Sequence, residues 1–129
     1  MEMSTVECNP DYCTELNSYC PSNDFFCFPQ RAITFSAGEI LVNQSIAHVG
    51  LTLWDSEVIL SHFIDSTFTS QDMEGISCAE LGAGLGMAGI LAAKLGCCTL
   101  VFQELPDVIE YTKVQSHCTP GPATLAPLT

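Results

Sequence analysis

The segment 76–104, ISCAELGAGLGMAGILAAKLGCCTLVFQE, constrains the fold of this chain more than any other. An apolar run leads into alternating glycines, an alanine-rich stretch comes next, and a second apolar run is closed by an acid. This order predicts a buried strand over 76–81, a glycine turn, a helix over 86–95 and a second strand over 99–103. We therefore expect an α/β protein whose centre is one βαβ unit.

The glycines and the closing acid indicate what this turn could bind. Gly82, Gly84 and Gly86 stand where a strand meets a helix, and a turn there needs backbone torsions and close ligand approach that a Cβ would obstruct. The next helix directs its N–H groups and partial positive charge at the turn. Glu104, twenty-two residues after Gly82, ends the next strand, where it can accept hydrogen bonds from both hydroxyls of a ribose. The pattern predicts a nucleoside cofactor.

Two cofactor classes fit this arrangement. The stretch 84–89 matches GxGxxG, the dinucleotide fingerprint, although glycine-rich turns often produce that match. Glu80 lies two residues before the first glycine, where its carboxylate would repel a pyrophosphate but attract the sulfonium and amino groups of S-adenosylmethionine. Charge therefore favours the methyl donor. The purely structural alternative is a tight turn in an α/β domain, with Glu80 as a solvated strand end.

Composition excludes several other function classes. Fifteen acidic residues against three basic ones give a formal net charge of −12, which disfavours nucleic acids and anionic membranes as partners. No apolar run is long enough to span a bilayer, so we predict no membrane segment. The N-terminus lacks a basic region followed by an apolar stretch, so we expect no secretory signal and a cytoplasmic location, with the nucleus as the alternative.

The two ends of the chain differ from its centre. Residues 1–30 predict an irregular, acidic arm, and 116–129 predict a proline-rich tail. Four of the eight cysteines lie in the arm, but they form no Cys-x-x-Cys pair and no histidine accompanies them. Free thiols are preferred there over a zinc site or a disulfide framework, and no metal-binding residue is predicted.

Weaker patterns predict further elements in the middle of the chain. Residues 32–42 suggest two extended pieces that could form a hairpin, and 65–75 indicate a connection without secondary structure. A helix is expected to begin at Asp55 or Ser56, which can cap it, and another to run from Pro106 to about residue 115. The apolar face of the first helix would consist of Val58, Ile59, Leu60, Phe63 and Ile64.

Three motifs together narrow the cofactor class to a family. The segments 50–55 (GLTLWD), 80–89 (ELGAGLGMAG) and 105–109 (LPDVI) resemble the methyltransferase-like family of seven-strand, S-adenosylmethionine-dependent protein lysine methyltransferases, which includes the valosin-containing-protein lysine methyltransferase. The similarity covers about 45–115. It implies a partial Rossmann-like (class I methyltransferase) fold over 31–115, consisting of the first βαβ unit with an N-terminal extension. It also implies a lysine-bearing protein substrate.

The resemblance assigns roles to individual residues. Trp54 would lie beside the methionine end of the cofactor, Glu80, Gly82 and Gly84 would line its loop, and Glu104 would bind the ribose. The family more often has aspartate at the last position, so the reach of this acid is altered. No catalytic residue is assigned. The full predicted cofactor-binding set is Trp54, Glu80, Gly82, Ala83, Gly84, Gly86, Glu104 and Leu105.

The end of the chain limits the expected activity. Nothing after Gln115 resembles the family's later motifs, so we expect a truncated methyltransferase domain that binds the cofactor weakly and does not turn over alone. A second hypothesis is a non-catalytic module that pairs with a homologue or partner subunit, because the apolar strand 99–103 has no predicted strand to cover it. A third is a dinucleotide-binding fragment, which rests on the GxGxxG match alone.

Overall fold

The structure, a computed structural model, describes residues 28–45, 48–116 and 123–127. The elements are β1 (Gln30–Phe35), β2 (Gly38–Asn43), a 3-10 turn (Val49–Leu51), α1 (Asp55–Thr67), α2 (Ser70–Met73), β3 (Ser77–Leu81), α3 (Met87–Leu95), β4 (Thr99–Glu104), α4 (Pro106–Ser116) and β5 (Ala123–Pro127). The predicted α/β class is confirmed. The predictions for the arm over 1–27, including its four cysteines, lie outside the described residues.

The hairpin predicted over 32–42 is present. β1 and β2 pair antiparallel about the turn, where Gly38 has a φ of 110° that favours glycine. The carboxylate of Asp65 accepts hydrogen bonds from the N–H and hydroxyl of Ser36, which joins this hairpin to α1. The side chain of Gln115 bonds both backbone groups of Asn43, which joins the hairpin to α4.

The predicted βαβ unit forms the centre of the fold. β3 and β4 pair in parallel, from Ser77 opposite Thr99 to Leu81 opposite Gln103, and α3 connects them. Seven of the nine residues of α3 are buried, because it packs against α1, against β2 and against both strands. Phe102 of β4 is fully buried beneath it and belongs to the hydrophobic core.

The last strand, β5, has no counterpart in the sequence predictions, and one expectation fails because of it. β5 pairs in parallel with β4 along the whole of β4 after Thr99, giving the sheet order β3-β4-β5. The expectation that no strand covers 99–103 is therefore wrong. Prolines on either side of a short run hide this strand from the sequence pattern. A proline is tolerated at the end of an edge strand, since its missing N–H has no ladder partner to satisfy there.

The expected burial of β3 also differs from the structure. The sequence predicts that β3 is buried, yet Leu81 is 74% exposed and Ile76 is 46% exposed. Within the described ranges β3 pairs only with β4, so it is an edge strand rather than an internal one.

The connection 65–75 also contains the short helix α2, which is capped reciprocally by Thr69 and Asp72.

The first helix exposes much of the face that is predicted to be buried. α1 begins at Asp55 with Trp54 as its N-cap residue, and no side-chain cap hydrogen bond is formed there, so the predicted cap at Asp55 or Ser56 is wrong. Ile59 and Phe63 are 68% and 57% exposed. Only Val58 and Ile64 of the predicted face pack against the core. Among the helices of the described ranges, none has the length and apolar character required to cross a bilayer.

Candidate functional site

A cavity of about 840 Å³ lies where the lead-in to α1, the end of β3, the glycine turn and the end of β4 meet. Six of the eight predicted cofactor-binding residues line it: Trp54, Glu80, Gly82, Ala83, Gly84 and Glu104. The two glutamates that the sequence places on either side of the turn therefore share one cavity. Gly86 and Leu105 are not among its lining residues.

Glu80 is held on the cavity wall by the helix after the turn. Its Oε2 accepts a hydrogen bond of 2.8 Å from the backbone N–H of Gly89 in α3. Burial raises the pKa of this carboxyl to about 7, with a smaller contribution in the same direction from Glu104, whereas the Gly89 hydrogen bond acts against both. The loss of solvation therefore outweighs the hydrogen bond.

Glu104 is buried at the end of β4, beside the glycine turn. Its Oε2 accepts from the N–H of Gly84 at 2.7 Å, and its Oε1 accepts from the N–H of Leu105 at 2.8 Å. Thr112 of α4 fixes the same glycine from its other backbone group, because its hydroxyl donates to the carbonyl of Gly84 at 2.6 Å. Leu105 thus contributes its backbone to the position of the acid, while its side chain is half-exposed.

The missing side chain of Gly86 allows α3 to pack closely against β4. A Cβ at Gly86 would lie 2.9 Å from the ring of Phe102, and one at Gly89 would lie 2.5 Å from the same ring and 2.6 Å from the carboxylate of Glu80. The absence of side chains here lets α3 lie directly on β4 and lets Glu80 reach the helix backbone. Gly82 differs, because a Cβ there would meet open space although its φ is +62°.

Trp54 is the N-cap residue of α1 and is partly buried. Its indole N–H donates to the carbonyl of Val49 at 3.0 Å, which fixes the ring on the cavity wall. The 3-10 turn that supplies this carbonyl is stabilised in turn by His48, whose Nδ1 accepts from the N–H of Gly50 at 3.0 Å. The motif over 50–55 therefore places the aromatic ring on the wall of the cavity that the glycine turn also lines.

Glu57 and Thr52 also line the cavity, and the predicted cofactor-binding set contains neither. Glu57 of α1 accepts a hydrogen bond of 2.5 Å from the N–H of Met87, the first residue of α3. Thr52 is 1% exposed, and its hydroxyl has no hydrogen-bond partner among the described residues. An acid in the first turn of a helix and a threonine two residues before a tryptophan are both common, so the sequence gives no reason to single out either residue. No pattern could have shown that the two face the same cavity as Glu80.

The pKa of Glu57 is raised as well as that of Glu80. Burial raises its pKa to about 8, and the nearby charges of Glu80 and Glu104 act in the same direction. Hydrogen bonds from the N–H groups of Met87 and Ala88 act against this rise but do not cancel it. None of the described lining residues is basic. Among the described residues, no three potential metal ligands are grouped so that they could hold an ion.

This arrangement suits a cationic nucleoside-sized ligand. The open space beside Gly82 admits a ligand to the backbone, and Glu104 stands at the strand end where hydroxyl groups could donate to it. A buried hydroxyl without a partner among the described residues, that of Thr52, is a further polar group that a ligand could satisfy. Positive charge on the ligand would be stabilised by the acids, whereas a phosphate would be repelled.

Comparisons with known proteins indicate one family. A family model described as lysine methyltransferase matches residues 37–118. EEF1A lysine methyltransferase 3 of Mus musculus is 32% identical over 107 residues, which are 82% of this chain and 42% of that protein. Protein N-lysine methyltransferase METTL21A of Mus musculus is 34% identical over 70 residues, 53% of this chain and 31% of that protein.

A third relative, protein-lysine methyltransferase METTL21E of Bos taurus, is 26% identical over 81 residues, 63% of this chain and 28% of that protein. The chain therefore spans less than half the length of each of these relatives. The α/β architecture is consistent with a partial class I methyltransferase fold, as the resemblance implies. Because the family model covers more than half of its residues, this chain belongs to the lysine methyltransferase family.

Proposed function

We propose that this chain binds S-adenosylmethionine in the cavity between α1 and the glycine turn, as the cofactor-binding part of a protein lysine methyltransferase. The observation that carries the proposal is the placement of Trp54, Glu80 and Glu104 around one cavity beside Gly82 and Gly84. The family as a whole supports the same cofactor. The chemistry that this cofactor supplies is an electrophilic methyl group on a positively charged sulfur.

The residues of this chain would each do a different part of the binding. Glu104 would accept hydrogen bonds from the ribose hydroxyls, and it is held in place by the N–H groups of Gly84 and Leu105. Glu80, anchored on Gly89, would place negative charge near the cationic end of the ligand. Trp54 would shield that end from water, since its ring is fixed on the cavity wall.

Methyl transfer itself requires more than a bound cofactor. A lysine amine must be deprotonated, aligned with the methyl group and shielded from water. The relatives' names identify methylation of protein lysines, and one names EEF1A as the protein modified. We propose a protein substrate of this kind for the family fold that this chain shares. For the chain on its own we propose cofactor binding without turnover.

Isothermal titration with S-adenosylmethionine and S-adenosylhomocysteine tests the cofactor assignment. We expect micromolar or weaker binding of the wild-type chain and a loss of about tenfold or more in the Glu104→Ala variant, because a hydrogen bond to a charged group contributes about 1.5–3 kcal/mol. Glu110→Ala is the matched control, since that acid is exposed on α4. Absence of binding contradicts the cofactor assignment, and sub-micromolar affinity contradicts the weak binding expected of a partial domain.

The third hypothesis, a dinucleotide site, is disfavoured by the position of Glu57. In dinucleotide sites the pyrophosphate lies at the N-terminus of the helix after the glycine turn. Here the N–H of Met87 at that helix end is already bonded to the Glu57 carboxylate. A competition titration compares NAD with S-adenosylhomocysteine, and displacement of the latter by NAD would favour the dinucleotide.

The exposed apolar surface favours a second candidate function, pairing with a homologous chain through the free edge of β3. Within the described ranges that edge has no strand partner, and Leu81 at its end is 74% exposed. Ile59 and Phe63 of α1 are exposed as well. An unpaired edge with apolar side chains is a template for another chain. Light scattering after size-exclusion chromatography tests this candidate, and a monomer at high micromolar concentration contradicts it.

A further inference from the structure

Glu57 has no part in the cofactor contacts proposed above, yet it lines the same cavity. It belongs to the first turn of α1, three residues after Trp54, and its carboxylate reaches across to the N–H of Met87. The N-cap residue of α3 is Gly86, which has no side chain with which to cap the helix. Glu57 therefore supplies from a different helix the acceptor that the start of α3 lacks.

A structural role as a helix cap explains this contact only in part. A carboxylate at a helix N-terminus is normally stabilised in its charged form. At Glu57 burial and two neighbouring acids outweigh that effect, so the pKa rises to about 8. The groups that face it are Glu80 from β3, Glu104 from β4 and the backbone N–H groups at the start of α3. A neutral glutamine could make the same hydrogen bond without the electrostatic cost.

An ionisable side chain in this position has a consequence for ligand charge. S-adenosylmethionine and S-adenosylhomocysteine share their adenosine and amino-acid groups and differ by one methyl group and the positive charge on sulfur. A residue that separates the two must therefore respond to the methyl group or to that charge. Glu57 lines the cavity together with Trp54, beside which the resemblance places the methionine part of the ligand. Its Oε2 would lie 4.0 Å from a Cβ on Gly84, so its carboxylate also lies beside the glycine turn.

Resting on the proposed function, we infer that Glu57 is a specificity-determining residue that makes the cavity prefer the cationic sulfonium cofactor over its neutral thioether product. The lining of the cavity supports the presence of a ligand independently of the acids. The hydroxyl of Thr52 is buried and without a partner among the described residues, which points to a ligand as its hydrogen-bonding partner. The described lining contains no basic residue, so within it the charge of an ionised Glu57 is balanced only by the N–H groups at the start of α3. A cationic ligand would complete that balance.

The preference must depend on pH. As pH rises from 6.5 to 9, Glu57 loses its proton, and the resulting charge attracts the sulfonium of S-adenosylmethionine, which has no counterpart in S-adenosylhomocysteine. The sulfonium charge lowers the pKa of the nearby amino group in S-adenosylmethionine but not in S-adenosylhomocysteine, so the ratio of the two dissociation constants still contains the titration of that group. Comparing this ratio between wild type and Glu57→Gln removes that contribution, because both proteins bind the same ligands. Glu80, whose pKa is raised as well, is coupled to Glu57 and titrates in the same range. The part of the rise that depends on Glu57 is the part that disappears in Glu57→Gln.

The experiment measures both dissociation constants by isothermal titration with the whole chain at about pH 6.5, 7.5, 8.5 and 9, which brackets the Glu57 titration. Wild type is compared with Glu57→Gln, which keeps an acceptor for Met87 but cannot ionise. Glu39→Gln is the control, because it removes the same charge from an exposed position on β2 outside the cavity. We expect the preference for the sulfonium ligand at pH 9 to fall about tenfold in Glu57→Gln and to remain unchanged in the control.

The outcomes separate this inference from the function on which it rests. Binding of both ligands with the same preference in wild type and Glu57→Gln overturns the inference and leaves the cofactor site intact. A difference in preference between wild type and Glu57→Gln that does not grow between about pH 7.5 and 9 overturns it too. Failure of both ligands to bind wild type overturns the proposed cofactor site and the inference together.

Discussion

The electrostatic cost of Glu57 can be measured without any ligand, as the pH dependence of stability. The folded protein holds this carboxyl at a pKa of about 8, whereas its ordinary value is 4.5. Between these two values the folded state binds more protons than the unfolded state, so the free energy of unfolding falls as pH rises. Above about pH 8 both states are ionised and the contribution of Glu57 no longer changes.

The folded and unfolded pKa values of Glu57 also determine how much the free energy of unfolding falls. Each pH unit between the folded and unfolded pKa corresponds to about 1.4 kcal/mol, which gives a ceiling of about 5 kcal/mol. The Glu57 side chain is partly exposed, so solvent screening reduces this to about 2 kcal/mol. In Glu57→Gln this cost is absent at every pH. We therefore expect the variant to match wild type near pH 5 and to exceed it by about 2 kcal/mol at pH 9.

Thermal unfolding followed by far-ultraviolet circular dichroism at about pH 5 and pH 9 measures the difference. For a domain of this size 1 kcal/mol corresponds to about 4–8 °C, so the variant should melt about 8–16 °C above wild type at pH 9. Glu39→Gln should match wild type at both pH values. A Glu57→Gln variant that melts below wild type at pH 9 refutes the reasoning, because the helix N-terminus would then stabilise the carboxylate more than burial destabilises it.

Three other substitutions test the cavity and its supporting contacts. Gly89→Ala should lower the free energy of unfolding by about 1–3 kcal/mol in urea titrations, because its Cβ would lie 2.5 Å from Phe102. Gly82→Ala meets open space and should cost only the strain of a positive φ, about 1–2 kcal/mol, and a larger loss at Gly82 than at Gly89 would contradict this distinction. Thr52→Val should leave stability unchanged or raise it by about 1 kcal/mol in the same titrations, since it removes a buried hydroxyl that has no partner among the described residues. The same variant should weaken S-adenosylmethionine binding by about fivefold in isothermal titration, and unaltered affinity would exclude Thr52 as a ligand contact.

The parts of the fold that can be predicted from the sequence carry local signals at their ends. α3 begins after Gly86 and ends before Gly96, both of which have positive φ. The hairpin turn, β4 and the start of α4 at Pro106 also lie within a residue or two of their predicted bounds. Glycine and proline restrict or free the backbone by themselves, so such boundaries do not depend on distant contacts.

The parts that could not be predicted depend on contacts between distant segments. β5 lies among prolines and is recognised only by its pairing with β4. α1 has an apolar face in sequence, but Ile59 and Phe63 have no described neighbour to cover them. The cavity residue Glu57 is separated by thirty residues from the helix end that it caps. Of the site, the glycine motif and the acid of β4 can be predicted from the sequence, whereas the additional acid from α1 cannot.

The three cavity glutamates connect the stability of this fold to its proposed ligand. Raised pKa values at Glu57 and Glu80 mean that the folded protein at neutral pH holds carboxyl groups in an environment that disfavours their charge. A cationic ligand reverses this penalty, because it favours the ionised form of both groups and drives proton release on binding. A neutral or anionic ligand would leave the penalty in place or increase it. The same buried acids thus lower the stability of the protein without ligand at high pH and give the cavity its selectivity for charge. Residues with a purely structural role would not require this compromise between stability and function.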